Sequence, residues 1–184
     1  MELKNKKEAT AKDYVYKSEI YYKHYKDRFH YPQWKQVLSM INGKSILEIG
    51  CGTGQFAHMA CDSGKRYTGF DFSEKGIRIC NDLKDKYDLN ALFYIGDARD
   101  KSHFGNYDCY ICLSTLEHIR DDKAVVSNIP KGKQFIFLVP NYNSSFHVRV
   151  YVYENEIRKR YSDLINIKKI IKPKKGFIVN SVRI

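Results

Sequence analysis

Residues 45–56 read Ser-Ile-Leu-Glu-Ile-Gly-Cys-Gly-Thr-Gly-Gln-Phe, and this stretch decides the fold that the sequence predicts. The run from Ile46 to Ile49 suits a buried strand. Glycines follow at alternate positions, Gly50, Gly52 and Gly54, and an apolar helix start comes next. Because glycine has no Cβ, a small molecule can lie against bare backbone where such a strand ends.

The rest of the chain alternates short apolar runs with helical segments, which predicts a parallel sheet covered by helices on both faces. The final two runs are joined by five residues, too few for a crossover helix, so the last strand should return antiparallel. The predicted strands are 46–49, 66–70, 91–95, 107–113, 134–139, 165–171 and 177–184. The predicted helices of this region are 55–62, 73–87, 115–128 and 154–164.

Aromatic residues dominate the segment before the glycine turn. The spacing of Tyr22, Tyr25 and Phe29 predicts one face of a helix, which Pro32 should end. A second amphipathic helix is expected over 34–41. These helices are expected to form a lid over the turn, although tyrosines at these positions would suit packing on the core equally well.

Length and composition favour one domain, since 184 residues with 43% hydrophobic content can bury one full core. We divide it into an N-terminal helical lid, residues 1–43, and a cofactor-binding core, residues 44–184. A charged amino terminus and the lack of any apolar run near 20 residues predict a cytoplasmic protein without a membrane span. The five cysteines are expected to be reduced thiols, and Cys109 and Cys112, three apart on a strand, should point to opposite faces.

The net charge of +11 lies in the flanks of the chain. Residues 1–44 carry 10 basic and 5 acidic side chains, and residues 155–184 carry 9 and 2. A basic rim could attract an anionic substrate or nucleic acid. Lysine outnumbers arginine by 23 to 9, however, which fits a solvated lysine-rich surface as well. Nucleic acid is therefore a possible partner that the sequence does not favour.

The glycine turn differs from the dinucleotide fingerprint G-x-G-x-x-G, whose third glycine would stand where this chain has Gln55. Glu48 lies two residues before the first glycine. A carboxylate there would repel a pyrophosphate and favour a cationic ligand. The expected cofactor is therefore a cation.

Residues 46–54 resemble the first motif of the class I S-adenosylmethionine-dependent methyltransferases. Residues 67–73, 96–98 and 107–118 resemble the second, third and fourth motifs of that family, in order. The family has a Rossmann-like, seven-stranded, mostly parallel sheet with an antiparallel terminal hairpin, which matches the predicted strands. The resemblance covers residues 44–184 and implies S-adenosylmethionine as the cofactor, without indicating the substrate.

The resemblance also implies roles for residues at the strand ends. Asp71 would accept hydrogen bonds from both ribose hydroxyls, because a carboxylate can accept two at once. Phe72 would lie against the adenine, Asp97 would accept from its amino group, and the Ala98 amide would donate to the ring. Glu48 would act on the charged groups of the methionyl part. The remaining implied cofactor contacts are Gly50, Cys51, Gly52, Gly54, Gln55, Phe56, Leu113 and Ser114.

Residues 114–118 read Ser-Thr-Leu-Glu-His. Certain relatives, the quinone-pathway O-methyltransferases and the small-RNA 3′-end methyltransferases, have Glu-x-x-Glu-His here and hold a divalent metal with it. This chain has Ser114 at the first position, and a hydroxyl is a poor replacement for a carboxylate ligand. Ser-x-x-Glu before an apolar helix also fits a capping box between Ser114 and Glu117. The cap is favoured, so no metal site is expected.

His118 and His147 are the candidate catalytic residues, since an imidazole can take the proton that an attacking hydroxyl or amine loses. A structural role for each histidine, and a reaction without any base, stay open. The expected function is O- or N-methylation of a small or medium acceptor such as a sugar, sugar nucleotide or secondary metabolite. An RNA methyltransferase and a non-catalytic S-adenosylmethionine-binding partner protein are the alternatives. The sequence does not indicate an oligomeric state.

Overall fold

The structure is a computed structural model that describes residues 2–3, 6–14, 16 and 18–184; Met1, Lys4, Asn5, Val15 and Lys17 of the predicted lid lie outside the described residues. The strands are β1 Ser45–Ile49, β2 Arg66–Asp71, β3 Ala91–Ile95, β4 Cys109–Leu113, β5 Gln134–Val139, β6 Ile165–Ile171 and β7 Phe177–Arg183. They form one sheet in the order β3-β2-β1-β4-β5-β7-β6. Strands β1 to β5 run parallel, and β7 is antiparallel to both β5 and β6. The predicted sheet, with its reversed terminal hairpin, is confirmed.

Each face of the sheet is covered by an apolar core. Cys109 lies in one core and Cys112 in the other, as their spacing on β4 predicts, and all five cysteines are free thiols. The helices that cover the sheet are α1 Tyr31–Met40, α2 Gln55–Asp62, α3 Glu74–Tyr87, α4 Asp122–Asn128 and α5 Glu154–Tyr161. In the part of the chain described, none of these helices has the length and apolar character that crossing a membrane requires.

The N-terminal aromatic segment is not the α-helix predicted from Tyr22, Tyr25 and Phe29. The side chains of Ser18 and His24 each accept a backbone N–H two residues further on, so each begins a separate turn. Tyr25 is buried whereas Phe29 is 65% exposed, so the three aromatic residues do not share one buried face. The segment instead contains three short 3-10 turns, Ala11–Asp13, Glu19–Tyr22 and Tyr25–Asp27.

Pro32 belongs to the first turn of α1 and does not end an earlier helix. A proline is tolerated there because the N–H that it lacks has no partner within the helix. The helix predicted over 34–41 therefore starts earlier, at Tyr31. Its buried face, including Trp34 and Val37, packs on the core beneath the glycine turn.

The helix predicted over 115–128 is two elements, a 3-10 turn at Leu116–His118 and α4. Between them, the Arg149 guanidinium donates hydrogen bonds to the carbonyl oxygens of Ile119 and Arg120, at 3.3 and 3.0 Å. These carbonyl oxygens therefore accept from a side chain and not from backbone N–H groups of a following helical turn. The break lies beside the cavity described below, and it sets the position of the residues just before it.

A buried ion-pair network holds this break in place. The Asp122 carboxylate is fully buried and accepts from Arg149 at 2.7 Å, from the Tyr161 hydroxyl at 2.6 Å and from Arg160. Arg149 belongs to the segment after β5, and Arg160 and Tyr161 belong to α5. The network therefore joins α4 and α5 to the loop that carries His147.

Candidate functional site

A cavity of about 310 Å³ lies where β1 to β5 reach their carboxyl ends. The predicted cofactor residues line it, except Gly54; His118 also lines it and His147 does not. The N-terminal segment supplies another part of the wall, through Tyr14, Tyr16, Tyr21, Arg28, His30 and Trp34. The motif resemblance implied the first set of residues, whereas the sequence predicts a lid without indicating which of its side chains reach the cavity.

The glycine turn has a left-handed backbone conformation at each of its three glycines. Gly50, Gly52 and Gly54 have φ values of +73°, +57° and +76°, where side chains other than glycine are strained. A Cβ on Gly50 would lie 2.4 Å from the Thr115 hydroxyl. Gly54 caps α2, and a Cβ there would lie 3.0 Å from the Cys80 sulfur, so Gly54 serves the turn and not the cavity wall.

Asp71 ties the end of β2 to this turn. One carboxylate oxygen accepts the Gly52 N–H at 2.9 Å, and the other accepts the Ser73 N–H at 2.9 Å. The side chain is buried, and this burial raises the pKa of Asp71 although the two N–H bonds oppose the shift. Each oxygen keeps a further lone pair. The carboxylate can therefore still accept hydroxyl donors from a ligand in the cavity.

Glu48 is buried at the bottom of the cavity, where it accepts a hydrogen bond from the Tyr67 hydroxyl. Burial raises the pKa of Glu48 to about 8. The sequence predicts a carboxylate at this position, but with a pKa of about 8 the Glu48 side chain is mainly protonated at neutral pH. A cationic ligand would favour its ionised form, because an opposite charge close to a buried acid lowers its pKa.

Tyr14 lies between Phe72 and the histidines of the site. Its ring centroid is 5.5 Å from that of Phe72 and 6.2 Å from that of His118. Asp97 makes an ion pair with Arg99 at 3.2 Å, and Arg99 in turn pairs with Glu8 at 2.7 Å. The N-terminal segment therefore contacts Phe72 directly, through Tyr14, and reaches Asp97 through Arg99. Tyr14 is not among the site residues predicted from the sequence, and the signal for it is the density of tyrosines in this segment.

The predicted capping box between Ser114 and Glu117 is wrong. Ser114 has a φ of +57°, and the 3-10 turn that follows has Thr115 as its N-cap, with no side-chain capping bond. The Glu117 side chain is 1% exposed, and neither carboxyl oxygen has a hydrogen-bond partner. Burial raises the pKa of Glu117 to about 8. A buried carboxyl group without partners is costly, which indicates a role other than capping.

His118 and His147 lie beside this carboxyl group. The His147 loop reaches them because the Val148 N–H donates to the Glu117 carbonyl oxygen at 2.9 Å. The two imidazole centroids are 4.9 Å apart, and the His118 Nε2 lies 3.8 Å from the Glu117 carboxyl group. Burial lowers the pKa of His118 to about 4 and also lowers that of His147. Both side chains are therefore neutral at pH 7.

The hydrogen bonds of the two histidines leave their Nε2 atoms available. The Nδ1 of His118 is 3.0 Å from the Phe146 carbonyl oxygen, and the Nδ1 of His147 is 3.0 Å from that of Tyr142. A carbonyl oxygen can only accept, so each Nδ1 carries the proton and each Nε2 has a free lone pair. The ligand atoms of Glu117, His118 and His147 lie within 4.8 Å of one another. One carboxylate and two oriented imidazoles are a donor set that fits a divalent cation.

A second group with close ligand atoms, His24, His58 and Asp62, fits a cation less well. The His24 Nδ1 accepts the Lys26 N–H at 3.2 Å, so the proton of the neutral ring is on Nε2. The Tyr25 hydroxyl donates to Asp62 at 2.8 Å. His24 and Asp62 thus already have hydrogen-bond partners outside the group, in contrast to the carboxyl group of Glu117.

Comparisons with known proteins find methyltransferases among the relatives of this chain. A family model described as a methyltransferase domain matches residues 46–131. The chain is 28% identical over 97 residues to the ubiquinone biosynthesis O-methyltransferase of Thiobacillus denitrificans, covering 52% of this chain and 42% of that protein. It is 27% identical over 138 residues to the same enzyme of Escherichia fergusonii, covering 71% and 58%. The chain thus spans about half the length of the curated relatives that it matches.

Solved structures show the same fold. The PH0226 protein of Pyrococcus horikoshii matches with a TM-score of 0.74 at 16% identity, covering 94% of this chain and 99% of that one. The magnesium protoporphyrin IX methyltransferase of Synechocystis, solved with bound S-adenosylmethionine, matches with a TM-score of 0.67 at 20% identity, covering 84% and 80%. The fold, the motifs and the family match together define the class of protein. These findings support a class I S-adenosylmethionine-dependent methyltransferase.

Proposed function

We propose that this chain binds S-adenosylmethionine in the cavity and transfers its methyl group to a hydroxyl oxygen of a small or medium acceptor. The observation that carries the proposal is the buried Asp71 carboxylate, held at the end of β2 by the Gly52 N–H and open to the cavity. Ribose hydroxyls are suitable donors for it. The matches to S-adenosylmethionine-binding methyltransferases support the same cofactor.

The residues around the cavity serve binding and orientation in this proposal. The acceptor oxygen attacks the methyl carbon, the bond between carbon and sulfur breaks, and S-adenosylhomocysteine leaves. In-line positioning alone can supply roughly 7–11 kcal/mol of the barrier. Without a bound cation, His118 lines the cavity as a neutral imidazole whose free Nε2 can accept the proton that the hydroxyl loses; a cation held by Nε2 would exclude this role. His147 does not line the cavity, and its role is to orient His118 and to complete the group with Glu117.

Glu117, His118 and His147 would hold a divalent cation, which contradicts the expectation of no metal that was based on the capping box. The evidence is the buried Glu117 carboxyl group without hydrogen-bond partners beside two Nε2 lone pairs. When bound, such a cation would polarise an acceptor hydroxyl and lower its pKa. This donor set favours O-methylation over N-methylation.

Sugars, sugar nucleotides and secondary metabolites that carry hydroxyl groups are the acceptors that we favour. RNA is the alternative, supported by the basic flanks of the chain. Salt separates the two, because RNA binding should weaken steeply as salt rises, whereas a neutral small acceptor should respond little. A partner protein that binds the cofactor without transfer is the remaining alternative.

The activity is tested by the acceptor-dependent formation of S-adenosylhomocysteine from S-adenosylmethionine. A panel of diphenols, sugars, sugar nucleotides and RNA oligonucleotides is assayed with and without Mn²⁺. We expect turnover with at least one hydroxyl-bearing small molecule, and a fall of about 10²- to 10⁴-fold on His118→Ala if His118 is the base. Turnover of the variant at the wild-type rate would remove His118 from the mechanism. Absence of S-adenosylmethionine binding by the wild type would refute the function.

The cation site is tested by titrating the protein with Mn²⁺ in a calorimeter, without any substrate. Binding is expected for the wild type and should be lost in Glu117→Gln, whose neutral amide is a weaker ligand. The matched control is Glu74→Gln, which changes an exposed glutamate on α3. Equal Mn²⁺ binding by Glu117→Gln and the wild type would show that this group holds no cation.

A further inference from the structure

We propose that the methyl acceptor carries a phosphate group, which Lys175 and His30 bind at the edge of the cavity. This inference rests on the proposed function and narrows the acceptor to phosphorylated compounds with a hydroxyl group, sugar nucleotides among them. It gives a role in binding to residues 172–176, the turn between β6 and β7.

The turn between β6 and β7 lies against two elements that reach the cavity. At the end of β5, a Cβ on Gly176 would lie only 2.6 Å from the Val139 carbonyl oxygen. On the other side, the buried Gln33 side chain of α1 donates to the Lys175 carbonyl oxygen at 2.9 Å. The last turn of β5 and the first turn of α1 both contribute residues to the cavity wall. The turn is therefore held at one edge of the cavity.

A series of ring contacts connects Lys175 to the cavity wall. Lys175 is exposed, and its ammonium group lies 4.8 Å from the centroid of the exposed Phe29 ring. The Phe29 ring meets that of His30 edge to face, with 5.5 Å between centroids. His30 stacks on Trp34 at 5.7 Å, and both of these side chains line the cavity. Phe29 therefore holds the ammonium group of Lys175 beside a histidine of the cavity wall.

Positive charge converges on His30 without a matching carboxylate. The pKa of His30 is lowered by burial and by the charges of Arg28 and Lys175. Within the described residues, Lys175 forms no ion pair. Residues 23–35 and 168–175 together carry nine basic side chains and one acidic side chain. Like charges held together repel one another, so an anion bound among them is favoured.

The position of this charge favours a group of the acceptor. Lys175 and Phe29 are not part of the cavity wall, so a group that binds Lys175 lies outside the space for the cofactor. An ammonium group offers three donors and a neutral imidazole offers one. Lysine binds phosphate as a point charge, whereas the planar fork of arginine is the better match to a carboxylate. A phosphate group that reaches both Lys175 and His30 is therefore the favoured anion.

A small acceptor fits these contacts better than a nucleic acid does. The charges of Arg28 and Lys175 act on one side chain, His30, next to the cavity. A single-stranded nucleic acid is held along a basic groove with several aromatic rings for its bases. One phosphate or diphosphate group beside the cavity needs only the convergent charges. The acceptor hydroxyl can then lie inside the cavity while the phosphate stays at its edge.

The test uses pyrophosphate as the probe, with the protein saturated with S-adenosylhomocysteine so that the cofactor's place is filled. No divalent cation is added, since a bound cation would itself attract pyrophosphate. Calorimetry measures the affinity of pyrophosphate for the wild type, Lys175→Gln, Lys175→Arg and His30→Gln. The control Lys159→Gln removes the same charge from an exposed lysine on α5. A hexauridylate RNA is titrated in parallel, and circular dichroism establishes that each variant is folded.

We expect Lys175→Gln and His30→Gln to weaken pyrophosphate binding by about 3- to 10-fold. Lys175→Arg should stay within about 2-fold of the wild type because it keeps the charge, and Lys159→Gln should bind as the wild type does. Equal losses in Lys175→Gln and Lys159→Gln would show an effect of net charge alone and overturn the inference.

Two other results would also overturn the inference. One is a wild type that binds S-adenosylhomocysteine but not pyrophosphate. The other is a loss in Lys175→Gln that is confined to hexauridylate, which would assign this surface to RNA. Failure of the wild type to bind S-adenosylhomocysteine is a different result, because it would refute the proposed function and this inference with it.

Discussion

Replacing Glu48 by glutamine should change how the stability of the protein depends on pH. The side chain is 3% exposed, and burial raises its pKa to about 8, against about 4.3 for glutamate in an unfolded chain. Between these values the folded protein keeps a proton that the unfolded chain releases. The free energy of unfolding therefore falls as pH rises through this window, and the contribution is constant above pH 8.

The expected size follows from the linkage relation. One group contributes a slope of up to about 1.4 kcal/mol per pH unit, or up to about 4 kcal/mol between pH 5 and pH 8. Glu48→Gln removes this titration while its amide oxygen can still accept from the Tyr67 hydroxyl. The difference in unfolding free energy, wild type minus variant, should therefore fall as pH rises.

The assay is urea unfolding followed by circular dichroism at pH 5, 6, 7 and 8. Other titrating groups are common to both proteins and cancel in the difference. Glu74→Gln is the control, because the Glu74 side chain is 69% exposed and pairs only with an exposed arginine. Its difference from the wild type should stay within about 0.5 kcal/mol at every pH. A difference for Glu48→Gln that does not change with pH would refute the argument.

Two further predictions concern stability. Gly50→Ala should lower the free energy of unfolding by about 2–4 kcal/mol, because φ is +73° and the new Cβ would lie 2.4 Å from a threonine hydroxyl. Gly132→Ala should lower it by about 1–2 kcal/mol, because φ is +79° but the new Cβ would lie in open space. Equal losses for the two variants in urea unfolding would contradict this prediction. Asp122→Ala should cost about 3–5 kcal/mol because it removes the buried carboxylate 2.7 Å from Arg149 and leaves that buried cation to the half-exposed Glu2, 3.6 Å away. The exposed Asp163→Ala should cost less than about 1, and thermal melts that fail to separate the two variants would show that the buried pair contributes little.

The sheet could be predicted from the sequence because each strand is a short apolar run and each connection has a characteristic length. The helix over 55–62 was predicted with its observed bounds, since the glycine turn marks its start. The resemblance of four motifs to those of a known family also implied the residues of the cavity wall that lie at the strand ends. The sheet and this helix follow from the local sequence pattern and from the way that parallel strands are connected.

The errors lie where distant residues decide the local structure. The helix expected over 115–128 is interrupted because Arg149, more than twenty residues later, takes two of its carbonyl oxygens. The capping box failed for the same reason, since Glu117 faces His118 and His147 and not the backbone before it. The predicted N-terminal helix failed for a local reason instead, because Ser18 and His24 begin short turns of their own.

Arg28 shows a different limit of sequence reasoning. An arginine among many basic residues in a flank looks like part of a solvated surface, and only the folded chain shows that its Nε is buried and unpaired. Glu117 is a second example, because only the folded chain shows that its carboxyl group is buried without a hydrogen-bond partner. Unsatisfied polar groups are therefore the features of this site that the structure adds to the sequence.

The central claim is that the cavity at the strand ends binds S-adenosylmethionine through Asp71. Calorimetry with S-adenosylhomocysteine tests it most directly, comparing the wild type with Asp71→Ala and with Asp82→Ala, which changes an exposed aspartate on α3. We predict binding by the wild type and by Asp82→Ala, and no measurable binding by a folded Asp71→Ala protein. Unchanged affinity of Asp71→Ala for S-adenosylhomocysteine, or no binding by the wild type, would contradict cofactor binding through Asp71.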